Sequence, residues 1–270
     1  MRLRLTIEYD GTAYSGWQLQ ASEDTIQARL EAVLEKLFGQ KIRINGAGRT
    51  DAGVHALGQV AAFDAPRNFD PSDLRRALNA MLPPDITVRG AVEVPANFDP
   101  RRDAYLRAYQ YRILNRELRS VFDYRHAWLV RDALDLAAMR AAARRFLGEH
   151  DFAAFRSLGT ETKSTMRRIY LSQWERHGDL LLYRIEGSSF LRHMVRAMVA
   201  AMVEVGRHRM SVEALNALLS GGDRAQAPAA APACGLFLVE VRYPPQSGKF
   251  ENRAPRAKKK EEVGGKTRPP

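Results

Sequence analysis

The sequence predicts an α+β fold built as two tandem ferredoxin-like (RRM-like) lobes, with mainly antiparallel sheets and flanking helices. Three observations predict it. Hydrophobic periodicity over residues 3–94 runs strand, helix, strand, strand, helix, strand. The second half has similar ingredients, including a hairpin signal at His177-Gly178-Asp179. A chain of 270 residues is long enough to bury one large core or two small ones.

The elements follow in order. Leu3, Leu5, Ile7 and Tyr9 alternate with Arg4, Thr6 and Glu8, the signature of a half-buried strand. Over residues 24–38 the period changes: Ile26, Leu30, Val33, Leu34 and Leu37 share a helical face, and Gly39 stops the helix. Ile42 and Ile44 resume a strand that enters the loop Gly48-Arg49-Thr50-Asp51-Ala52-Gly53, and Gln59 to Phe63 leaves it. Leu74, Leu78 and Met81 mark a second helix, which Pro83-Pro84 closes, and Ile86 to Val94 is strand again. Beyond it, Tyr105 to Leu114 reads as a strand that places Tyr105, Arg107, Tyr109 and Tyr111 on one face. An Ala-rich helix over 134–147 carries Leu136, Met139, Ala143 and Phe146. Ile169 to Glu175 and Leu180 to Glu186 form the hairpin, and residues 190–205 form a helix with Met194, Met198 and Met202 on one stripe and Gly206 as its cap. A shorter helix follows Ser211, Ala225 to Ala233 is a loop, and Leu236 to Tyr243 is the last strand. The expected division is a first lobe at 1–104, a second at 105–245, and a disordered basic tail at 246–270 that is too polar to bury a core.

Composition narrows the function. The net charge of +11, from 42 basic and 31 acidic residues, suggests a polyanionic partner. Residues 247–270 hold eight Lys or Arg and three Glu, so +5 belongs to the tail and +6 to the body. A single cysteine, Cys234, excludes an internal disulfide and a Cys-based zinc cluster. The six histidines lack ligand spacing, so no metal site is expected. No apolar run approaches the roughly 18 residues of a membrane span. Arg2 and Arg4 open a strand pattern rather than a signal peptide, which points to a cytoplasmic, reducing setting.

The loop at 48–53 is the candidate site. Its Gly48-to-Gly53 spacing is that of a phosphate-binding P-loop, but Val54 and His55 stand where Lys and then Ser or Thr are required. A dinucleotide fingerprint starting at Gly46 fails because its third glycine would fall at Asp51. What remains is a carboxylate between flexible glycines beside an arginine. An ionised aspartate can act as nucleophile or general base, and an Asp beside Gly can also simply cap a turn.

The loop resembles the catalytic motif of the tRNA pseudouridine synthase A (TruA) family, and four further segments do so in the family's order. Tyr9-Asp10-Gly11 with Gly16-Trp17-Gln18-Leu19-Gln20 is similar to its opening, and Tyr109-Gln110-Tyr111-Arg112-Ile113 to its central tyrosine strand. Asp151-Phe152 with Phe155, and Phe190-Leu191-Arg192-His193-Met194-Val195-Arg196, are similar to its later landmarks, and Ala231-Pro232 with Gly235-Leu236 to its last strand entry. The chain departs from the pattern at Asp99-Pro100, where the family has His after the Phe at 98, and at Ala230, where Thr is typical.

The resemblance implies a homodimeric enzyme that isomerises uridine to pseudouridine at positions 38, 39 and 40 of the tRNA anticodon stem-loop, without cofactor or metal, in a cleft between the lobes. It implies Asp51 as the catalytic aspartate, Tyr109 stacked on the uracil, and Arg196 paired with Asp51. Arg49 would fill the space the flipped uridine vacates or grip the backbone. Arg192 is a weaker phosphate-contact candidate. His55 is weaker still, because a loop histidine more often satisfies backbone than performs chemistry. The rival class is a non-catalytic RNA-binding protein that uses exposed aromatics. Asp51 argues against it, since a carboxylate would weaken binding to phosphate. A metal-dependent nuclease would need clustered carboxylates, which the sequence does not show.

Overall fold

The computed structural model describes residues 1–157, 162 and 164–245. The expected tail, 246–270, lies outside the described residues. Strand β1 (Arg2–Tyr9) alternates half-buried and buried residues along its whole length. Helix α1 (Ile26–Phe38) starts where the Thr25 hydroxyl accepts the Ala28 N–H, and ends where Gly39 turns left-handed and donates to Glu35 O. Helix α2 (Pro71–Met81) is capped by Asp70 with proline in its first turn. Leu74 and Leu78 are buried, while Met81, expected on the same face, is exposed at the helix end.

Ile42 and Ile44 are buried as expected but lie outside any strand; β2 is only Asn45–Gly46. Side chains of α1 take the place of a ladder there: Ile44 N–H donates to Glu31 Oε1, and Ile44 O accepts from Gln27 Nε2. Strand β3 (His55–Asp64) leaves the loop and β4 (Ile86–Val94) completes the first half.

In the second half β5 (Leu106–Asn115) begins one residue after Tyr105, which is exposed outside the strand. The sequence reading missed two strands too short to show a period, β6 (Trp128–Val130) and β7 (Gly148–Asp151). Helix α3 (Leu136–Arg144) is shorter than expected, and a following turn still buries Phe146. The hairpin is β8 (Met166–His177) and β9 (Leu180–Gly187). Helix α4 spans Met194–Gly206, not 190–205, and buries the methionine stripe completely. Gly206 ends it from inside rather than capping it: a Cβ there would sit 2.7 Å from Met139 Cγ, so glycine permits the contact with α3. Helix α5 (Val212–Leu219) is capped by Ser211, and β10 (Leu236–Arg242) is last.

Among the described residues one mixed ten-stranded sheet runs in the order β4-β1-β3-β10-β5-β9-β8-β7, with β2 on β3 and β6 on β5. The last strand joins the halves. Phe237 and Leu238 pair in parallel with His55 and Ala56, while the other edge of β10 runs antiparallel to β5. Burial divides accordingly: one core gathers α1, α2 and β1, and another gathers α3, α4, α5 and the hairpin. β10 gives Leu236 to the second and Leu238 and Val241 to the first. Among the described residues no helix is long and apolar enough to cross a membrane.

Candidate active site

The loop from Ala47 to Val54 is held from below. Tyr9 OH lies 2.7 Å from Thr50 Oγ1, Trp17 N–H donates to Thr50 O at 3.1 Å, and Gln59 Nε2 donates to Gly48 O at 2.7 Å. Gly16, at φ +93°, lets the chain pass so close that a Cβ there would sit 2.6 Å from Thr50 O. Gly53 takes φ +74°, and Val54 N–H returns to Asp51 O, closing the turn that lifts Asp51 out of the loop. The Asp51 side chain is about a quarter exposed, at 24%.

The first residues of α4 and those just before it meet this carboxylate. Arg196 Nη1 donates to Asp51 Oδ2 at 3.3 Å, bridging 145 positions of sequence. The same guanidinium donates from Nε to Ala231 O at 2.7 Å, and Ala231 N–H returns to Arg196 O. Tyr111 OH donates to Pro232 O, so the Ala231-Pro232 segment is fixed between β5 and α4 and in turn fixes Arg196. Arg192 Nε lies 3.8 Å from Asp51 Oδ1 and its side chain is largely exposed. His193 Nε2 lies 3.3 Å from Asp51 Oδ2. The sequence reading named His193 within the motif but gave it no role.

Tyr109 is half-buried on β5, edge-on to Phe190 at 5.1 Å, and its hydroxyl is 3.9 Å from where a Cβ on Gly48 would stand. Burial, with the Asp51 charge adding to it against the opposing Arg107 charge, pushes this hydroxyl up to about 12. It is therefore a phenol at neutral pH. Tyr111, on the same strand face, is a core residue with no exposure. Arg49 is exposed and forms no ion pair with Asp51, which is met instead by Arg196 and, at a longer distance, Arg192.

His55 stands apart from Asp51 in a different cluster. Its Nδ1 accepts Gly11 N–H at 3.0 Å and its Nε2 faces Arg125 O and Cys234 O, so Nε2 carries the proton. Burial lowers its pKa, and the charge of Asp10 only partly offsets this. Asp10 also binds His126 Nε2 at 2.8 Å. Asp10, His55 and His126 bring ligand-type atoms within 4.8 Å of one another, a grouping invisible in sequence spacing. Hydrogen bonds already engage both nitrogens of His55. At 99–100, where the family pattern differs, Asp99 accepts Arg101 N–H and Arg102 N–H and serves a local turn.

A family profile described as tRNA pseudouridine synthase matches residues 5–102 and 142–244. The chain is 44% identical over 241 residues to the tRNA pseudouridine synthase A of Geotalea daltonii, covering 89% of this chain and 99% of that one. It is 46% identical over 242 residues to the enzyme of the same name from Citrifermentans bemidjiense, covering 89% and 97%. The Myxococcus xanthus protein of that name is 45% identical over 243 residues, covering 90% and 92%.

Proposed function

The chain belongs to the tRNA pseudouridine synthase family, and from that premise we propose that it isomerises uridine to pseudouridine in tRNA, with Asp51 as the group that starts the reaction. The ion pair between Asp51 and Arg196 carries this reading, because it joins two separate family motifs into one half-buried site. The reaction breaks the C1′–N1 bond, turns the base, and forms C1′–C5. A proton leaves C5 and one is gained at N1, so no redox partner or outside nucleophile is consumed. Asp51 either attacks the substrate or removes a ribose proton; its position in a glycine-bounded turn suits both.

Arg196 orients the carboxylate, since its Nε is committed to Ala231 O while Nη1 faces Asp51. Tyr109, held as a phenol beside the loop, offers a ring face to the uracil. Flipping the uridine costs a few kcal/mol, which contacts to base and backbone must offset. Arg49, exposed and unpaired among the described residues, is placed for the vacated space or for backbone phosphate. Arg192 is a phosphate contact at the rim. The target positions are 38, 39 and 40 of the anticodon stem-loop.

Two ferredoxin-like lobes at 1–104 and 105–245 complete the reading, with the site in the cleft between them. Support comes from strand order: β4-β1-β3-β2 in the first half and β10-β5-β9-β8 in the second follow the same pattern. The functional unit is a homodimer, and Leu118, Val121 and Phe122, all strongly exposed on one loop, offer apolar surface for self-association. The test is to map pseudouridine in bulk tRNA lacking the modification, with and without the protein. New pseudouridine at 38–40 is expected; none, with folded protein and folded tRNA, would overturn the reading.

A further inference from the structure

We propose that His193 is a positioning residue for Asp51, its Nε2–H fixing one carboxylate oxygen so that the other faces the substrate. The proposal rests on the reading of Asp51 given above and extends it. The first observation is local. Helices α1, α2, α3 and α5 begin with Thr25, Asp70, Asp135 and Ser211, and each of those side chains accepts an N–H of its own helix. His193 occupies the same position on α4, makes no such bond, and sits in the left-handed region at φ +63°. A helix start there forgoes its cap and holds a non-glycine residue in a costly conformation. Local stability does not explain that choice.

The second observation is where the ring goes. Nε2 reaches Asp51 Oδ2 at 3.3 Å, the oxygen that Arg196 also contacts at 3.3 Å. The other oxygen, Oδ1, has Arg192 Nε as its ion-pair contact among the described residues, at 3.8 Å. Oδ2 thus accepts a hydrogen bond from Arg196 and has the His193 ring nitrogen beside it at 3.3 Å, while Oδ1 is the less crowded oxygen. The groups facing the imidazole are Asp51 from the loop, Arg192 and Arg196 from its own segment, and Arg224 from the turn at 224–226. Burial first, then the three guanidiniums, push its pKa below 6.5 against the pull of Asp51. At neutral pH the ring donates without adding a further positive charge. Protonated, it becomes a third cation on the carboxylate and should blunt its reactivity.

His193→Gly and His193→Asn test this, because both residues tolerate a left-handed backbone. Turnover, tRNA affinity, thermal stability and the pH profile of kcat are read for each variant, alongside Asp51→Asn. For His193→Gly we expect kcat to fall about 10- to 100-fold, with KM and affinity within about twofold and a melting temperature at or above that of wild type. His193→Asn, which keeps an N–H donor but no titratable ring, should recover part of kcat and lose the wild-type inflection in kcat below pH 6.5. Wild-type kcat in His193→Gly, a loss expressed only in KM, or an unchanged acid inflection in His193→Asn would overturn the proposal. If Asp51→Asn itself turns over normally, the reading of Asp51 fails; if that variant is dead while His193→Gly is normal, only this inference fails.

Discussion

Arg196 serves Asp51 through geometry that a lysine cannot copy. Its planar guanidinium spends Nε on Ala231 O and turns Nη1 toward the carboxylate, so one side chain is fixed at two points. Arg196→Lys keeps the charge but cannot make both bonds. A hydrogen bond to a charged group contributes about 1.5–3 kcal/mol, so kcat should fall roughly 10- to 100-fold, with KM changed little. Steady-state kinetics on a single tRNA check this, and a variant with wild-type kcat would show that orientation through Ala231 is unimportant. The motifs singled out Asp51, Tyr109 and Arg196 in the sequence, and the structure sets Arg196 against Asp51. Pattern alone could not show that Asp51 pairs across 145 positions rather than with neighbouring Arg49. Nor could it show His193 at work, because its contribution depends on a left-handed backbone angle that no residue pattern announces.

At the level of elements, strands and helices with a clear period were legible: β1, α1, α2, β4, the β8–β9 hairpin and the Met stripe of α4. Errors fell where other groups replaced the regular pattern, as when Glu31 and Gln27 satisfied the backbone of Ile44. Three-residue β6 and four-residue β7 offered too few positions for a period to appear. The contact between the 10–12 segment, the start of β3 and the 125–126 segment was hidden for the same reason, and it has a pH signature. Within it, burial opposes ionisation of Asp10, yet hydrogen bonds from Thr12 and His126 and the nearby His55 hold it down to about 2. His55 has its pKa lowered from 6.5, so the unfolded chain binds that proton more readily than the folded one. Its contribution to stability is full above pH 6.5 and declines as pH falls below that value. The Asp10 contribution is full above the ordinary carboxylate value of 3.8 and declines from there toward pH 2. Denaturant unfolding at pH 7.5 and 5.5 should show wild type losing stability across this interval, and His55→Gln losing less. Equal losses would mean that His55 does not remain neutral in the folded state.

For the molecule as a whole, β10 is decisive, since a strand from the end of the described chain seals the boundary between halves and carries the Ala231-Pro232 approach to Arg196. The α+β class was legible because strand and helix periods alternate along the chain; the single sheet was not, because it depends on the parallel pairing of Phe237 and Leu238 with His55 and Ala56. The net charge of +11 suits a polyanionic substrate, and nearly half of it lies in residues 247–270. Removing them should leave saturating turnover unchanged while making tRNA binding weaker at low salt and less salt-sensitive, since fewer counterions are released. A much slower folded truncation would place the tail in the active site. The central claim concerns Asp51, and Asp51→Asn tests it most directly because the substitution keeps size and removes charge. Pseudouridine formation and tRNA affinity should be measured on the same preparation. The account predicts turnover at least about a thousandfold lower, a barrier rise of roughly 4 kcal/mol, with tRNA affinity intact. Residual turnover within about tenfold of wild type, a difference of only about 1.4 kcal/mol, would contradict it.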